Sequence, residues 1–285
     1  MIPPLRAAIH STLEKDPGLA GPLIRLAFHD ATTWEQTKGK EGIAVTTGGP
    51  NGSVRYELDW NENRALSGPL AIVEEILEQT SPSITLADVI AVAGATAIEH
   101  AGGPRIALRL GRRDVNSADP HTLREPMEME TERSKITSTM PSPAMDSDGL
   151  RLYFGKRLHL REEEFVALSG VHGLGRHVTL LGMPKSCLKN LTRTCLEEAP
   201  QSLPFVSSSV DRFSNGYFQY LLRWYDRDIQ LGDVAFIPTD VALAVDPGLR
   251  RYVKAFARDE PRFFRTFARA YQKLVEVTAT SSKRY

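Results

Sequence analysis

The chain has 285 residues, of which 41% are hydrophobic and 25% are charged, so it is long enough to bury a substantial core. Its 35 Lys and Arg residues balance its 35 Asp and Glu residues, which gives no support for binding to nucleic acid or to an anionic membrane. The longest apolar runs are too short to span a bilayer, and two cysteines are too few for a disulfide-rich scaffold or a four-cysteine zinc site.

The first half of the chain has the periodicity of amphipathic helices. We predict helices from about Pro3, from Pro22, over 68–79, and from Thr85 to about His100. Thr85 and Asp88 form the capping box of the last of these helices. The segment 34–60 is expected to be a loop. The segment 114–148 is rich in Pro, Ser, Thr and charge, and predicts a long irregular connection at a lobe boundary.

The second half continues the helical pattern after this connection. The predicted helices cover 149–157, 162–169, 214–225, 240–246, 247–258 and 260–278, and a polar loop covers 182–209. Alternating strand patterns are scarce, and there is no internal repeat. The sequence therefore predicts an all-α fold.

Arg25 and His29 are four residues apart in the second predicted helix, so their side chains lie on one face. A cation beside an imidazole lowers the pKa of the histidine and keeps it a neutral base. Such a pair suits the movement of a proton between two oxygen atoms while charge develops on one of them. In isolation, the same spacing is more often a core histidine beside a surface arginine.

His172 follows a predicted helix within the glycine-rich segment 168–176. Glycines on both sides would let a flat group approach the backbone closely. A neutral imidazole there can bind a metal through one nitrogen if the other nitrogen has an acceptor. Asp240, which by default caps a helix, is the candidate acceptor. A nucleotide loop is disfavoured because these glycines follow a helix, and zinc is disfavoured because no third ligand is near.

Together these segments resemble the plant-type haem peroxidase superfamily, in particular its intracellular class of ascorbate and cytochrome c peroxidases. The resemblance is carried, in chain order, by 22–29, 48–55, 84–94, 111–114, 140–143, 165–172 and 237–240. It implies a haem peroxidase fold of about ten helices in two lobes with haem between them. It further implies one compact domain with a distal lobe of 1–130, near which helices of about 247–285 pack, and a proximal lobe of 131–246.

The resemblance also assigns roles to individual residues. It implies one haem b per chain, with His172 as the axial iron ligand and Asp240 as its hydrogen-bond partner. It makes Arg25 and His29 the residues that act on hydrogen peroxide. The further residues that it places around the haem are Phe28 as the distal aromatic residue, Pro141, Ser169 and Phe205.

Departures from the family pattern narrow the range of electron donors that we expect. Leu181 stands where ascorbate peroxidases have an arginine, and Val178 replaces a polar residue near a haem propionate. Phe205 lies in the segment where a proximal Trp is expected, which argues against a stable Trp radical. We therefore expect hydrogen peroxide and a small aromatic or phenolic reductant as substrates, rather than ascorbate.

A further departure concerns the distal histidine. Leu66 stands where the family has an Asn that orients this histidine, and Asn61 or Asn63 can take the role only if the loop register differs. A non-catalytic haem-binding or haem-free sensor or interaction protein is therefore the alternative to an enzyme. The joint presence of Arg25, His29, His172 and Asp240 favours the enzyme.

Smaller expectations concern ions, thiols and location. The segment that resembles the family's cation-binding loop on the proximal side lacks part of the expected ligand set. We therefore favour the absence of a cation site over a weak monovalent cation or Ca²⁺ site at Asp211 and Ser207–Ser209. We expect Cys187 and Cys195 to be two unpaired thiols rather than a disulfide bridge, because a bridge requires tight geometry. The N-terminal residues show no secretory or transit features, so we expect a cytosolic protein or one whose targeting peptide was removed. The departures together resemble the ascorbate-peroxidase-related branch of plants, which implies a chloroplast location.

Overall fold

The computed structural model describes residues 2–38, 42–80, 83–128, 135–174, 176–178, 202–204, 211–226, 236–280 and 284. Within these ranges, helices dominate and strands occur only in small two-stranded sheets. The all-α prediction is therefore confirmed. The α-helices are α1 Ile2–Lys15, α2 Ala20–Thr32, α3 Ser67–Gln79, α4 Leu86–His100, α5 Ser147–Leu150, α6 Glu162–Ser169, α7 Gly216–Tyr225, α8 Pro238–Val245, α9 Pro247–Arg258 and α10 Glu260–Val275.

Two segments that the sequence predicted to be irregular contain hairpins. The strands are β1 Glu35–Lys38, β2 Ala44–Thr47, β3 Thr122–Glu128, β4 Lys135–Ser138, β5 Arg176–Val178 and β6 Ser202–Pro204. They pair as β1–β2, β3–β4 and β5–β6. Most side chains of β1 and β2 are not buried, so these strands lack the alternation of polar and apolar residues that identifies a half-buried strand.

The chain divides into two compact units. Unit 1 comprises Met1–Met127, Ile136–Met140 and Tyr271–Tyr285, and unit 2 comprises Glu128–Lys135 and Pro141–Ala270. Residues 247–270 lie in unit 2, because α9 packs on α6, α7 and α8, all of which belong to unit 2. The residues from Tyr271 onward lie in unit 1.

Close packing of α2 on α4 organises unit 1. A Cβ atom at Gly94 of α4 would come within 2.9 Å of the Ala27 Cβ atom, so only glycine allows this approach. The start of α4 is fixed by Asp114, whose carboxylate accepts the backbone N–H groups of Leu86 and Ala87 at 2.9 Å each. The Thr85 hydroxyl accepts the Asp88 N–H at 3.2 Å, which is one half of the predicted capping box. The Asp88 carboxylate instead accepts the Gly111 N–H at 2.8 Å and the Arg112 guanidinium at 2.7 Å.

A cluster of aromatic side chains forms the core of unit 2. Phe213 stacks on Phe263 with ring centroids 5.2 Å apart, and Phe218 meets Phe263 edge-on at 5.0 Å. Gly170 lies directly against this cluster, because a Cβ atom there would come within 2.6 Å of the Phe263 ring. The cluster therefore fixes the turn Gly170–Gly173, which follows α6 and carries His172.

Candidate active site

Arg25 and His29 lie on one face of α2, as the spacing predicted. The opposite face of α2 is buried by Leu23, Leu26 and Ala27. His29 itself is 9% exposed, whereas Arg25 is half-buried. Phe28, the predicted distal aromatic residue, is half-buried, and its ring centroid lies 5.9 Å from that of His29.

The short turn Asn61–Asn63 orients His29. The His29 Nδ1–H group donates to Asn63 Oδ1 at 2.7 Å, and the Asn63 amide donates to the Glu57 carbonyl at 3.0 Å. Because the amide N–H group is used by Glu57, Asn63 offers its oxygen to His29, which leaves Nε2 as the basic nitrogen. Of the two candidates, Asn61 and Asn63, it is Asn63 that makes the contact. His29 therefore has an orienting amide, although Leu66 stands at the position where the family has its Asn. Leu66 is fully buried immediately before α3.

The same turn also holds Arg25. The Arg25 guanidinium donates to the carbonyl oxygens of Glu62 at 2.5 Å and Arg64 at 2.7 Å. These two carbonyls flank Asn63 in the chain, so one turn positions both polar groups of α2. Sequence reasoning missed this contact because backbone carbonyls leave no residue-type signal. We call Arg25, His29 and Asn63 the distal cluster.

The environment of His29 makes it a neutral base. Burial, and then the Arg25 charge, lower the pKa of His29 from 6.5 to about 3, while the Asn63 hydrogen bond acts in the opposite direction. The direction agrees with the sequence prediction, but burial rather than Arg25 is the larger cause. At about pH 7, His29 is therefore unprotonated and able to accept a proton.

Asp30 connects α2 to the loop that precedes the turn Asn61–Asn63. Its carboxyl group is fully buried and accepts the backbone N–H groups of Gly52 at 3.2 Å and Val54 at 3.5 Å. Gly52 has a φ of 73°, a conformation that favours glycine. Burial is the main cause that raises the pKa of Asp30 to about 8. Asp30 is therefore largely protonated near neutral pH.

His172 and Asp240 form the second cluster, which lies in unit 2. His172 Nδ1 donates to Asp240 Oδ1 at 2.7 Å, and Asp240 is 0% exposed. This bond fixes the tautomer in which Nε2 carries the lone pair that can bind a metal. The other oxygen of Asp240 accepts the Ile237 N–H at 3.0 Å. Asp240 therefore caps α8 and also orients His172.

Tyr217 is the member of this cluster that sequence reasoning missed. It lies in the first turn of α7, and its hydroxyl donates to Asp240 Oδ1 at 2.5 Å. The only available signal was an aromatic residue in an amphipathic helix, which is usually part of the core. We call His172, Asp240 and Tyr217 the proximal cluster.

The glycines near His172 do not all have the role that was predicted. The turn needs Gly170 for contact with Phe263 and Phe218, rather than for the approach of a flat group. Gly173 lies against Tyr217. Gly175 lies outside the described residues.

The positions of the other predicted site residues say less about their roles. The Ser169 hydroxyl donates to the Phe165 carbonyl of its own helix at 3.2 Å. Pro141 is half-buried and is the first residue of the segment Pro141–Ala270 of unit 2. Asp211 is exposed. The predictions that lie outside the described residues concern Phe205, Leu181, Cys187, Cys195 and Ser207–Ser209.

The proximal cluster fits an iron held by one protein ligand. Within the described ranges, no group of three or more His, Cys, Asp or Glu side chains is arranged to hold a bare metal ion. A single histidine whose Nδ1–H is bound to a buried carboxylate is instead the arrangement that suits haem iron. No helix in the described part of the chain has the length and apolar character needed to cross a membrane.

Comparison with known proteins identifies the family. The sequence model of the family described as "Peroxidase" matches residues 5–259. The chain belongs to this family. An Arabidopsis thaliana protein named L-ascorbate peroxidase 5, peroxisomal, is 32% identical over 90% of this chain and 75% of its own length. A protein of Oryza sativa subsp. japonica, named provisionally as a peroxisomal L-ascorbate peroxidase, is 34% identical over 97% of this chain and 77% of its own length.

A fungal protein gives a similar match. It comes from Aspergillus fumigatus, is named provisionally as a heme-binding peroxidase, and is 32% identical over 92% of this chain and 76% of its own length. This peroxidase is thus a haem enzyme that uses hydrogen peroxide as its oxidant, and it is similar to the ascorbate peroxidases. Since matches include plant and fungal proteins, similarity does not assign the chain to plants.

Proposed function

We propose that this peroxidase binds one haem b through His172 and reduces hydrogen peroxide with Arg25 and His29 as its catalytic residues. The observation that carries the proposal is that each key histidine has its own buried partner: Asn63 for His29 and Asp240 for His172. Bound haem supplies the iron centre at which peroxide is reduced. The roles of the two clusters follow from their hydrogen bonds and charges.

His29 performs the proton transfer. Its Nε2 atom accepts a proton from one peroxide oxygen and returns a proton to the other, so that this oxygen leaves as water. The Asn63 oxygen holds the Nδ1–H group throughout and stabilises the imidazolium that forms. The Arg25 cation stabilises the negative charge that develops as the oxygen–oxygen bond breaks.

The test uses protein purified with haem supplied. The wild type should show a Soret band and turn over a phenol with hydrogen peroxide. His172→Ala should weaken haem retention, and added imidazole should partly restore the spectrum. His10→Ala is the matched control, because His10 lies in α1 and contacts His100 instead of either cluster. A wild type without a Soret band, or a His172→Ala variant with an unaltered spectrum, would contradict the proposal.

For the electron donor, we propose small phenols or other aromatic molecules rather than ascorbate. The support comes from the sequence, where Leu181 replaces the arginine of ascorbate peroxidases and Val178 replaces a polar residue that the resemblance places near a haem propionate. The comparison measures kcat/KM for ascorbate and for guaiacol in the wild type and in Leu181→Arg. The wild type should favour guaiacol, and Leu181→Arg should increase ascorbate oxidation. Efficient, saturable ascorbate oxidation by the wild type would refute this donor preference.

Location and ion binding complete the proposal. We propose an intracellular enzyme of the chloroplast or cytosol, which is supported by relatives named as chloroplastic or peroxisomal. Imaging of a tagged full-length protein tests this. A weak cation site at Asp211 and Ser207–Ser209 rests on sequence alone. A melting temperature that does not change with added Ca²⁺ or K⁺ would count against it.

A further inference from the structure

The Asp240 carboxylate is held by donors from three parts of unit 2. Its Oδ1 atom accepts the His172 bond at 2.7 Å and the Tyr217 hydroxyl at 2.5 Å. Its Oδ2 atom accepts the Ile237 N–H at 3.0 Å. Asp240 and Tyr217 are both 0% exposed. The tyrosine and the histidine therefore share one carboxylate oxygen in a buried site.

Tyr217 acts as the donor in this contact. Burial, and then the neighbouring Asp240 carboxylate, raise the pKa of Tyr217 well above its usual value, so the hydroxyl keeps its proton. A hydrogen bond from a hydroxyl to a carboxylate is roughly twice as strong as one between neutral groups. The Tyr217 bond therefore draws electron density from the same oxygen to which His172 donates.

Packing holds the Tyr217 side chain in this position. Its ring stands perpendicular to that of His172, at an interplanar angle of 86° and a centroid distance of 6.0 Å. A Cβ atom at Gly173 would lie 3.4 Å from the Tyr217 Cβ atom, so the turn that carries His172 rests on the start of α7. A movement of Tyr217 would therefore affect both Asp240 and His172.

We propose that Tyr217 is a positioning residue that limits how strongly Asp240 accepts the His172 proton, and thereby sets how strongly His172 donates to the haem iron. The inference rests on the proposed role of His172 as the iron ligand. Without the tyrosine hydroxyl, Oδ1 becomes a stronger acceptor for His172, and the imidazole gains anionic character. A more anionic ligand stabilises ferric iron relative to ferrous iron.

The test compares Tyr217→Phe with Tyr271→Phe. Tyr271 is a matched control because it is also a buried tyrosine, but its hydroxyl donates to the Ala91 carbonyl at 3.0 Å within unit 1. The first measurement uses haem-free protein with isotope-labelled histidine. The His172 Nδ1–H resonance, identified by its loss in His172→Gln, should move downfield in Tyr217→Phe and stay unchanged in Tyr271→Phe.

The second measurement uses haem-loaded protein. Tyr217→Phe should raise the iron–histidine stretching frequency of the ferrous form. It should also shift the ferric-to-ferrous ratio about tenfold toward ferric, which is ~59 mV for a one-electron couple. An unchanged resonance with an unchanged frequency, or equal shifts in both variants, would overturn the proposal. Absence of any iron–histidine stretch would refute the ligand role of His172, and the proton resonance would then decide the role of Tyr217.

Discussion

Replacement of Asn63 by Ala removes the hydrogen bond that orients the proposed catalytic base. In the resting protein, this side chain connects His29 Nδ1 at 2.7 Å to the Glu57 carbonyl at 3.0 Å. When His29 takes a proton from peroxide, the contact becomes a hydrogen bond to a charged group, which contributes about 1.5–3 kcal/mol. Loss of that contribution from the transition state slows peroxide cleavage by about 10- to 150-fold.

The assay mixes haem-loaded protein with hydrogen peroxide and measures the second-order rate constant of the resulting spectral change. Asn61→Ala is the matched control, because Asn61 belongs to the same turn but is exposed. It should leave the rate within about twofold of the wild type, since it removes no contact to His29. Equal rates for Asn63→Ala and the wild type would refute the orienting role, and a larger defect in Asn61→Ala would show that the wrong amide was chosen.

Three further predictions follow from the buried titratable groups His29, Asp30 and Asp240. Because the pKa of His29 is lowered to about 3, the peroxide rate constant should be constant from about pH 8 to pH 5 and should fall only as pH approaches that value, whereas an inflection near about pH 6.5 would contradict it. The pKa of Asp30 is raised to about 8 in the folded state, so its contribution to stability is complete below its unfolded pKa of about 4 and is lost as pH rises toward 8. Denaturant unfolding of the wild type relative to Asp30→Asn should therefore show a loss of up to about 1.4 kcal/mol per pH unit across this range, and parallel profiles would refute the assignment. Asp240→Asn should raise the ferric/ferrous potential, because it removes the anionic acceptor of His172, and potentiometry that finds no change or a lower potential would contradict this.

Local sequence patterns were sufficient to predict most of the helices and the two histidine motifs. The spacing of Arg25 and His29 fixes a common helical face before any tertiary structure is known. The resemblance then paired His172 with Asp240, which are 68 residues apart and which the structure joins by a hydrogen bond. These features depend on residue type and order, and both are visible in the sequence.

Other features depend on loop geometry that residue types do not fix. Asn63 lies 34 residues after His29, and the intervening segment contains a hairpin and further turns. Sequence spacing therefore left Asn61 and Asn63 as equal candidates and favoured Leu66 by alignment. The Tyr217 contact arises only when α7 packs against the turn that carries His172. Gly170 was misread for the same reason, because its close partner, Phe263, is remote in sequence.

The most direct test of the account is the reaction of haem-loaded protein with hydrogen peroxide, followed by stopped-flow absorbance in the wild type and in His29→Leu. The account predicts a Soret change in the wild type whose rate increases linearly with peroxide concentration. In His29→Leu, the same change should be slower by about 10²- to 10⁴-fold, because the general base is lost. A wild type without a Soret change, or equal rates in the two proteins, would contradict the account.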